Sequence, residues 1–337
     1  MTPPMGWNSW NAGIPPTEQM IKQTIDAMVS SGMRDAGYRY VNLDAGWAAP
    51  TRGADDELRA DPSAFPDGIP ALASYAHDRG MLLGIYASPF NEICGQDPRV
   101  GSKGHESTDA RTFADWGVDY LKYDWCRSDA DHAEQVRLFT AMRDALRASG
   151  RRIFYSINPN SSDDYRAGVT YDWSGIADMA RTSTDLVPVW RGTLPRDFTD
   201  AFVTGAYLGV PDAFAASVAT KGSRPGYFAD PDMLVVGLPW SEFWTNHEKG
   251  ALPDAELQWS ATAQPGMTET EERTHFSLWA MLSAPLIAGN DVRSMSETTR
   301  AILTNADVIA VDQDPLVAPA TRTGGEPRVL VKPLTGG

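Results

Sequence analysis

The chain has 337 residues, 42% hydrophobic and 22% charged, which is enough for one large domain, and no apolar run approaches the roughly 18 residues that a membrane span needs. A formal net charge of −15 with no basic stripe argues against nucleic acid, because holding phosphates requires clustered Lys and Arg. Eleven Trp and eleven Tyr supply flat faces that suit sugar rings as well as cores.

Along the chain, apolar runs of strand length alternate with helical patterns, the signature of βα units around a parallel sheet. Met1 leads straight into Thr2-Pro3-Pro4 without a basic region or an apolar stretch, so the chain reads as soluble with no signal peptide in this sequence, and secretion with the signal already removed stays open as the alternative. Strands are predicted at MGWNSW from Met5, YRYVNLDA from Tyr38, MLLGIYA from Met81 and VDYLKYD from Val118. Four more follow at RIFYSI from Arg152, DMARTS from Asp178, DMLVV from Asp232 and PLIAGN from Pro285. Helical spacing places helices at 17–31, with Thr17 as cap, and at 69–79, 131–148, 269–282 and 296–304. Eight units in one run, with no phosphate-binding glycine turn after the first strand, fit a (β/α)8 TIM barrel better than an open doubly wound sheet. The barrel is expected over residues 1–312. The pattern then changes to short strand-like pieces, so 313–337 reads as the beginning of a truncated C-terminal antiparallel β-domain.

A barrel builds its active site at the carboxyl ends of its strands. That selects Asp44, Tyr86, Lys122 with Asp124, Asn158, Arg181 with Asp185, Asp230 with Asp232, and Asn290-Asp291. The set is rich in Asp, has no Ser–His or Cys–His pairing, and none of the five histidines closes a strand, so neither a metal nor another cofactor is expected. Two carboxylates across a barrel mouth suit glycoside cleavage, one attacking the anomeric carbon and the other protonating the leaving oxygen. The two cysteines, Cys94 and Cys126, are compatible with one bridge or with two buried thiols.

The motifs PPMGWNSWN, YVNLDAGW, GIYAS…C, DYLKYDWC, ADPDML and APLIAGNDVR occur in the order seen in glycoside hydrolase family 27, and the chain resembles that α-galactosidase and α-N-acetylgalactosaminidase group over nearly its whole length. The resemblance implies a retaining exo-glycosidase acting on a carbohydrate, with Asp124 of LKYDWC as nucleophile. It implies Asp185, four residues after Arg181 in ARTSTD, as acid/base. It also implies that Cys94 pairs with Cys126 in a disulfide, that Trp7, Trp10 and Tyr86 shape the sugar pocket, and that Asp44, Lys122, Asn158, Arg181 and Asp232 bind or frame the sugar.

Two departures bear on specificity. The family's galactosidases carry two adjacent aspartates after the second strand, whereas here Asp44 is followed by Ala45. The SINPNSS segment replaces the usual Cys-Glu-Trp run and offers Asn158 and Ser161 where the C2 substituent would be sensed. The expected substrate is a terminal α-D-galactoside. The same mechanism on an α-N-acetylgalactosaminide, a β-L-arabinopyranoside or an α-glucoside is the alternative, as is an inactive sugar-binding barrel. An aromatic-rich insertion over 238–267, with Trp240, Phe243, Trp244, His247 and Trp259, is expected to contact leaving-group sugars or to be an ordinary anchored loop.

Overall fold

A computed structural model describes residues 1–93, 100–126, 131–162, 164–190, 208–218, 222–248, 265–323 and 326–336. Eight parallel strands form one sheet: β1 (Met5–Asn8), β2 (Tyr40–Asn42), β3 (Leu82–Ala87), β4 (Tyr120–Asp124), β5 (Phe154–Asn158), β6 (Met179–Arg181), β7 (Phe228–Asp230) and β8 (Leu286–Ala288). Their order, β7-β6-β5-β4-β3-β2-β1-β8, is that of a (β/α)8 barrel. The remaining seam is closed by the stretch after β7, where Leu234 donates its N–H to Ile287 O at 2.7 Å and its carbonyl accepts from Gly289 N at 2.9 Å.

Six strands fall within their predicted stretches, β5 runs one residue past its own to Asn158, and β7 lies elsewhere. The sequence reading placed it at 232–236, but the ladder runs through Phe228–Asp230 and stops at Pro231. Pro231 has no N–H to give a neighbouring strand, and Asp232 follows with a left-handed φ of 97°, turning the apolar run off the sheet. Asp230 and Asp232 therefore lie at the carboxyl end of a strand rather than flanking the start of one.

The helices follow their caps. Thr17 accepts from Met20 N at the start of Glu18–Ser30, and Asp131 caps His132–Ala148 by accepting from Ala133 N. A capping box joins Thr268 and Glu271 at the head of Glu269–Leu282. Helices Gly68–His77 and Glu297–Leu303 also fall where the spacing puts them. The insertion proves partly helical, Trp240–Glu248, with Trp240, Phe243 and Trp244 buried. Trp259 and the side chain of His247 lie outside what the structure describes.

Register sorts the strand residues into two sets. Trp7, Val41 and Leu83 align across β1, β2 and β3, as do Leu121 and Tyr155 across β4 and β5, and all belong to the large core packed between strands and helices. The alternate residues point into the barrel. At its amino end Tyr40, Tyr120, Phe154, Met179 and Phe228 form a separate apolar layer, sealed from below by Val317. Residues after 312 thus close the base of the barrel, where Ala320 N also bonds Met281 O at 2.8 Å and Lys332 Nζ bonds Ser283 Oγ at 2.7 Å. A two-stranded antiparallel hairpin, β9 (Thr321–Thr323) and β10 (Glu326–Val331), stands apart from the barrel sheet.

Candidate active site

The inward-facing positions at the carboxyl ends of the strands carry the charge. Lys122 and Asp124, two residues apart on β4, share a face as strand geometry requires, and Lys122 Nζ stands 3.4 Å from Asp124 Oδ2. The ammonium also bonds Asp44 Oδ2 at 2.8 Å, so one cation is shared between two buried carboxylates. Tyr86, at the inner face of β3, directs its hydroxyl hydrogen bond to Asp124, and its ring lies 5.2 Å from Lys122 Nζ.

A second cation serves the opposite wall. Arg181, buried at the end of β6, reaches Asp185 Oδ1 at 3.1 Å with one nitrogen and Asp232 Oδ1 at 3.0 Å with another. Asp232 is 1% exposed and does more than balance charge: its carboxylate accepts from Leu186 N at 2.7 Å and Met233 N at 2.8 Å. It therefore ties β7's end to the loop that carries Asp185. The Asp185 side chain, 35% exposed, is the accessible member of the set.

Burial dominates the electrostatics. Desolvation pushes the Asp124 carboxyl above its ordinary value; Lys122 pulls it back, while the charges of Asp44 and Asp185 push it further. The expected help from Lys122 is real but does not prevail, because the cost of burying the carboxylate exceeds it. Asp232 is raised to about 7, chiefly by burial and against the pull of Arg181, and burial raises Asp230 as well. Burial alone would lower Lys122, but Asp124 and Asp44 outweigh it and hold the ammonium protonated. His275, lowered to about 3 by burial, accepts from Val235 N and is a neutral packing group.

The predicted residues do not all meet. Asp44, Tyr86, Lys122, Asp124, Arg181, Asp185 and Asp232 converge on one mouth. Trp10, half-buried just past β1, donates its backbone N–H to Asn8 Oδ1 at 2.8 Å. Trp7 does not reach the mouth: strand parity turns the indole outward, where it is 1% exposed in the helix-facing core and donates to Asn290 O at 2.7 Å. Asn158 sits at the mouth but is occupied by its own loop, donating to Ser161 Oγ at 2.9 Å and accepting from Asn160 N at 3.0 Å. Cys126 is half-buried beyond Trp125, and Cys94 lies outside the described residues.

Supporting residues escaped the sequence reading. Asn160, fully buried, donates to Arg181 O and Ser183 O at 2.9 and 3.1 Å and accepts from Gly168 N. Ser9 Oγ accepts from Asp44 N, Trp47 Nε1 donates to Tyr86 O and Trp279 Nε1 donates to Asp232 O. Polar side chains within two residues of a strand end were the available signal for Asn160 and Ser9; the two tryptophans gave none beyond their apolar surroundings.

A (β/α)8 barrel whose mouth gathers paired carboxylates, two cations and aromatic walls is the architecture of a glycoside hydrolase. The pattern of the family described as α-galactosidase A matches residues 2–245 and 256–314. The chain is 39% identical to α-galactosidase A of Cellvibrio japonicus over all of its own length and 74% of that protein's. It is 38% identical to the α-galactosidase of Cyamopsis tetragonoloba, covering 94% of this chain and 65% of that one. The solved structure of α-galactosidase I from Mortierella vinacea superposes with a TM-score of 0.80 at 32% identity, over 99% of this chain and 79% of that chain. The protein belongs to the α-galactosidase family of glycoside hydrolases, family 27, and is an enzyme of the α-galactosidase type. Among the described residues no helix is long and apolar enough to cross a membrane.

Proposed function

We propose that the chain hydrolyses terminal α-D-galactosides with retention, Asp124 serving as nucleophile and Asp185 as acid/base. The observation that carries the assignment is the contrast between the two carboxyls. Asp124 is enclosed, aligned by Tyr86 and paired with Lys122, whereas Asp185 is partly open to solvent on an arginine anchor. An enclosed carboxylate suits attack on the anomeric carbon; an open one can meet a leaving group and then a water.

In the first step an Asp124 oxygen bonds to C1, the C1–O bond to the aglycone breaks, and the Asp185 proton goes to the departing oxygen. In the second, Asp185 takes a proton from water as the water oxygen bonds to C1 and the Asp124 ester bond breaks. The retaining mechanism places such carboxyls roughly 5–5.5 Å apart. Lys122 balances Asp124 as its charge is consumed and restored, and Asp232 with Arg181 fixes the loop that presents Asp185.

Replacing Asp124 by Ala should abolish turnover by several orders of magnitude on every leaving group. Replacing Asp185 by Ala should spare the nitrophenyl galactoside, which needs little protonation, far more than an alkyl galactoside. Equal losses on both substrates, or substantial activity in the Asp124 variant, would reverse or remove the assignment.

Ala45 favours one second reading, in which the mechanism stands and the sugar changes. The half-buried Ala45 offers no carboxylate beside Asp44, and a charge-assisted hydrogen bond to a hydroxyl is worth about 1.5–3 kcal/mol. Rates on a panel of nitrophenyl glycosides, including the β-L-arabinopyranoside, decide between the two. We also take 313–337 as a unit distinct from the 1–312 barrel, a division supported by the separate β9–β10 sheet.

A further inference from the structure

Beneath the acidic mouth the barrel interior is not filled as barrels usually are. Bulky branched side chains ordinarily occupy the middle layer, and here Asn8, Asn42, Lys122, Ser156 and Arg181 face it, with Ile287 as the branched apolar exception. On β3 the inward position is Gly84, and the reason is Asn42: a Cβ on Gly84 would stand 1.8 Å from Asn42 Oδ1. Backbone is thus cleared to admit an amide into the barrel. These side chains line a cavity of about 20 Å3 at the foot of the mouth, whose wall also includes Asn158, Asp230 and Asp232 and the apolar Tyr120, Met179 and Met233.

Two members of that wall hold unpaired polar atoms. Asn42 is 1% exposed, and both its Oδ1 and its Nδ2 lack a protein partner. Arg181 is 4% exposed, and although its two terminal nitrogens hold carboxylates, its Nε–H has none. Leaving such groups unsatisfied in a dry interior is unfavourable, and buried polar atoms ordinarily find a protein or water partner. A cavity of roughly 10–15 Å3 or more, lined by polar groups, is sufficient for one water. Apolar packing below and carboxylates above leave no apolar ligand a reason to enter.

We propose that this chamber is a water-binding site, in which one buried water bridges Asn42 to the Arg181 Nε–H and so positions the guanidinium that holds Asp185 and Asp232. The water accepts from Arg181 and meets the Asn42 amide, and its remaining protons face acceptors of the wall, Asp230 among them. Asn42 is then a positioning residue: it touches no substrate and acts on the acid/base through water and arginine. The crystallographic test below is independent of the proposed roles of Asp124 and Asp185, while the kinetic test rests on the acid/base assignment.

High-resolution crystals of the sugar-free protein should show density for a water within hydrogen-bonding distance of both Asn42 and Arg181 Nε. Asn42→Leu keeps the volume and removes the polar partner, so the density should vanish. Its kcat on an alkyl galactoside should fall about tenfold, and that on a nitrophenyl galactoside should fall by no more than about twofold, because protonation of the leaving group is the step that suffers. Asn42→Ser, which retains a hydroxyl, should restore both the water and the normal ratio of the two rates. A merely structural role would lower both rates together. A dry cavity in the wild-type crystal overturns the proposal whether or not the leucine variant folds, and so does an unchanged ratio in a leucine variant that has lost the water.

Discussion

Lys122→Met probes the charge balance on which the proposed nucleophile depends. The ammonium lies 3.4 Å from Asp124, where unit charges at an effective dielectric of 20 attract by about 5 kcal/mol. That is an upper value for Asp124, since Asp44 at 2.8 Å competes for the same ammonium. An opposite charge at this range typically lowers a carboxyl by about 1–3 units. Asp124 already lies above its ordinary value through burial, and Lys122 is the principal force lowering it. Attack requires the ionised form, so activity exists above the Asp124 pKa and is lost as pH falls through it. Removing Lys122 should therefore move the acid limb of kcat/KM upward by about 1–3 pH units. The variant should accordingly be far more impaired at pH 5 than at pH 8. A full pH profile with a nitrophenyl galactoside reads the limb directly. An unmoved limb with an increased KM alone would refute the reasoning and leave Lys122 as a sugar contact.

Two further outcomes follow from the same geometry. Asp232, raised to about 7 when folded, takes up its proton more readily in the native state than in the unfolded chain, so its contribution to stability falls as pH rises from about 4 to 7. Asp232→Asn should flatten that part of a melting-temperature profile while lowering activity, because Arg181 and Leu186 N lose their common acceptor; a profile as steep as the wild type's would exclude Asp232 as its source. Ala45→Asp should tighten an α-galactoside, lowering KM by roughly tenfold or more if the new carboxylate reaches a sugar hydroxyl, and an unchanged KM would mean that position 45 does not face the sugar.

How far the sequence discloses the molecule depends on what fixes each feature. Strands buried on both faces announce themselves as short apolar runs, and helices with Thr17, Asp131 and Thr268 at their heads carry their own boundaries. The seventh strand was misplaced because apolar character continues past Pro231 for a reason unrelated to sheet pairing: Leu234 bonds β8 at a single point while its neighbours pack on helices. Trp7 illustrates a different limit. An aromatic beside a strand end resembles a pocket wall until parity is counted from its inward neighbour Asn8, which turns Trp7 to the outer face. Asn158 shows a third, since an amide's partners are settled only when the following loop folds back on it.

Charge arithmetic in the mouth explains why the site needs so deep a support. Among the described residues five carboxylates, Asp44, Asp124, Asp185, Asp230 and Asp232, face two cations, Lys122 and Arg181. A neutral sugar brings no charge to correct the excess, so the protein itself must either solvate it or hold protons on it. Burial raises Asp124, Asp230 and Asp232, the last to about 7. The left-handed backbone at Asp232, strained by its φ of 97°, is held by Arg181, Leu186 N and Met233 N, which fix the end of β7 against the loop that presents Asp185. Relaxing it would free the loop that presents Asp185.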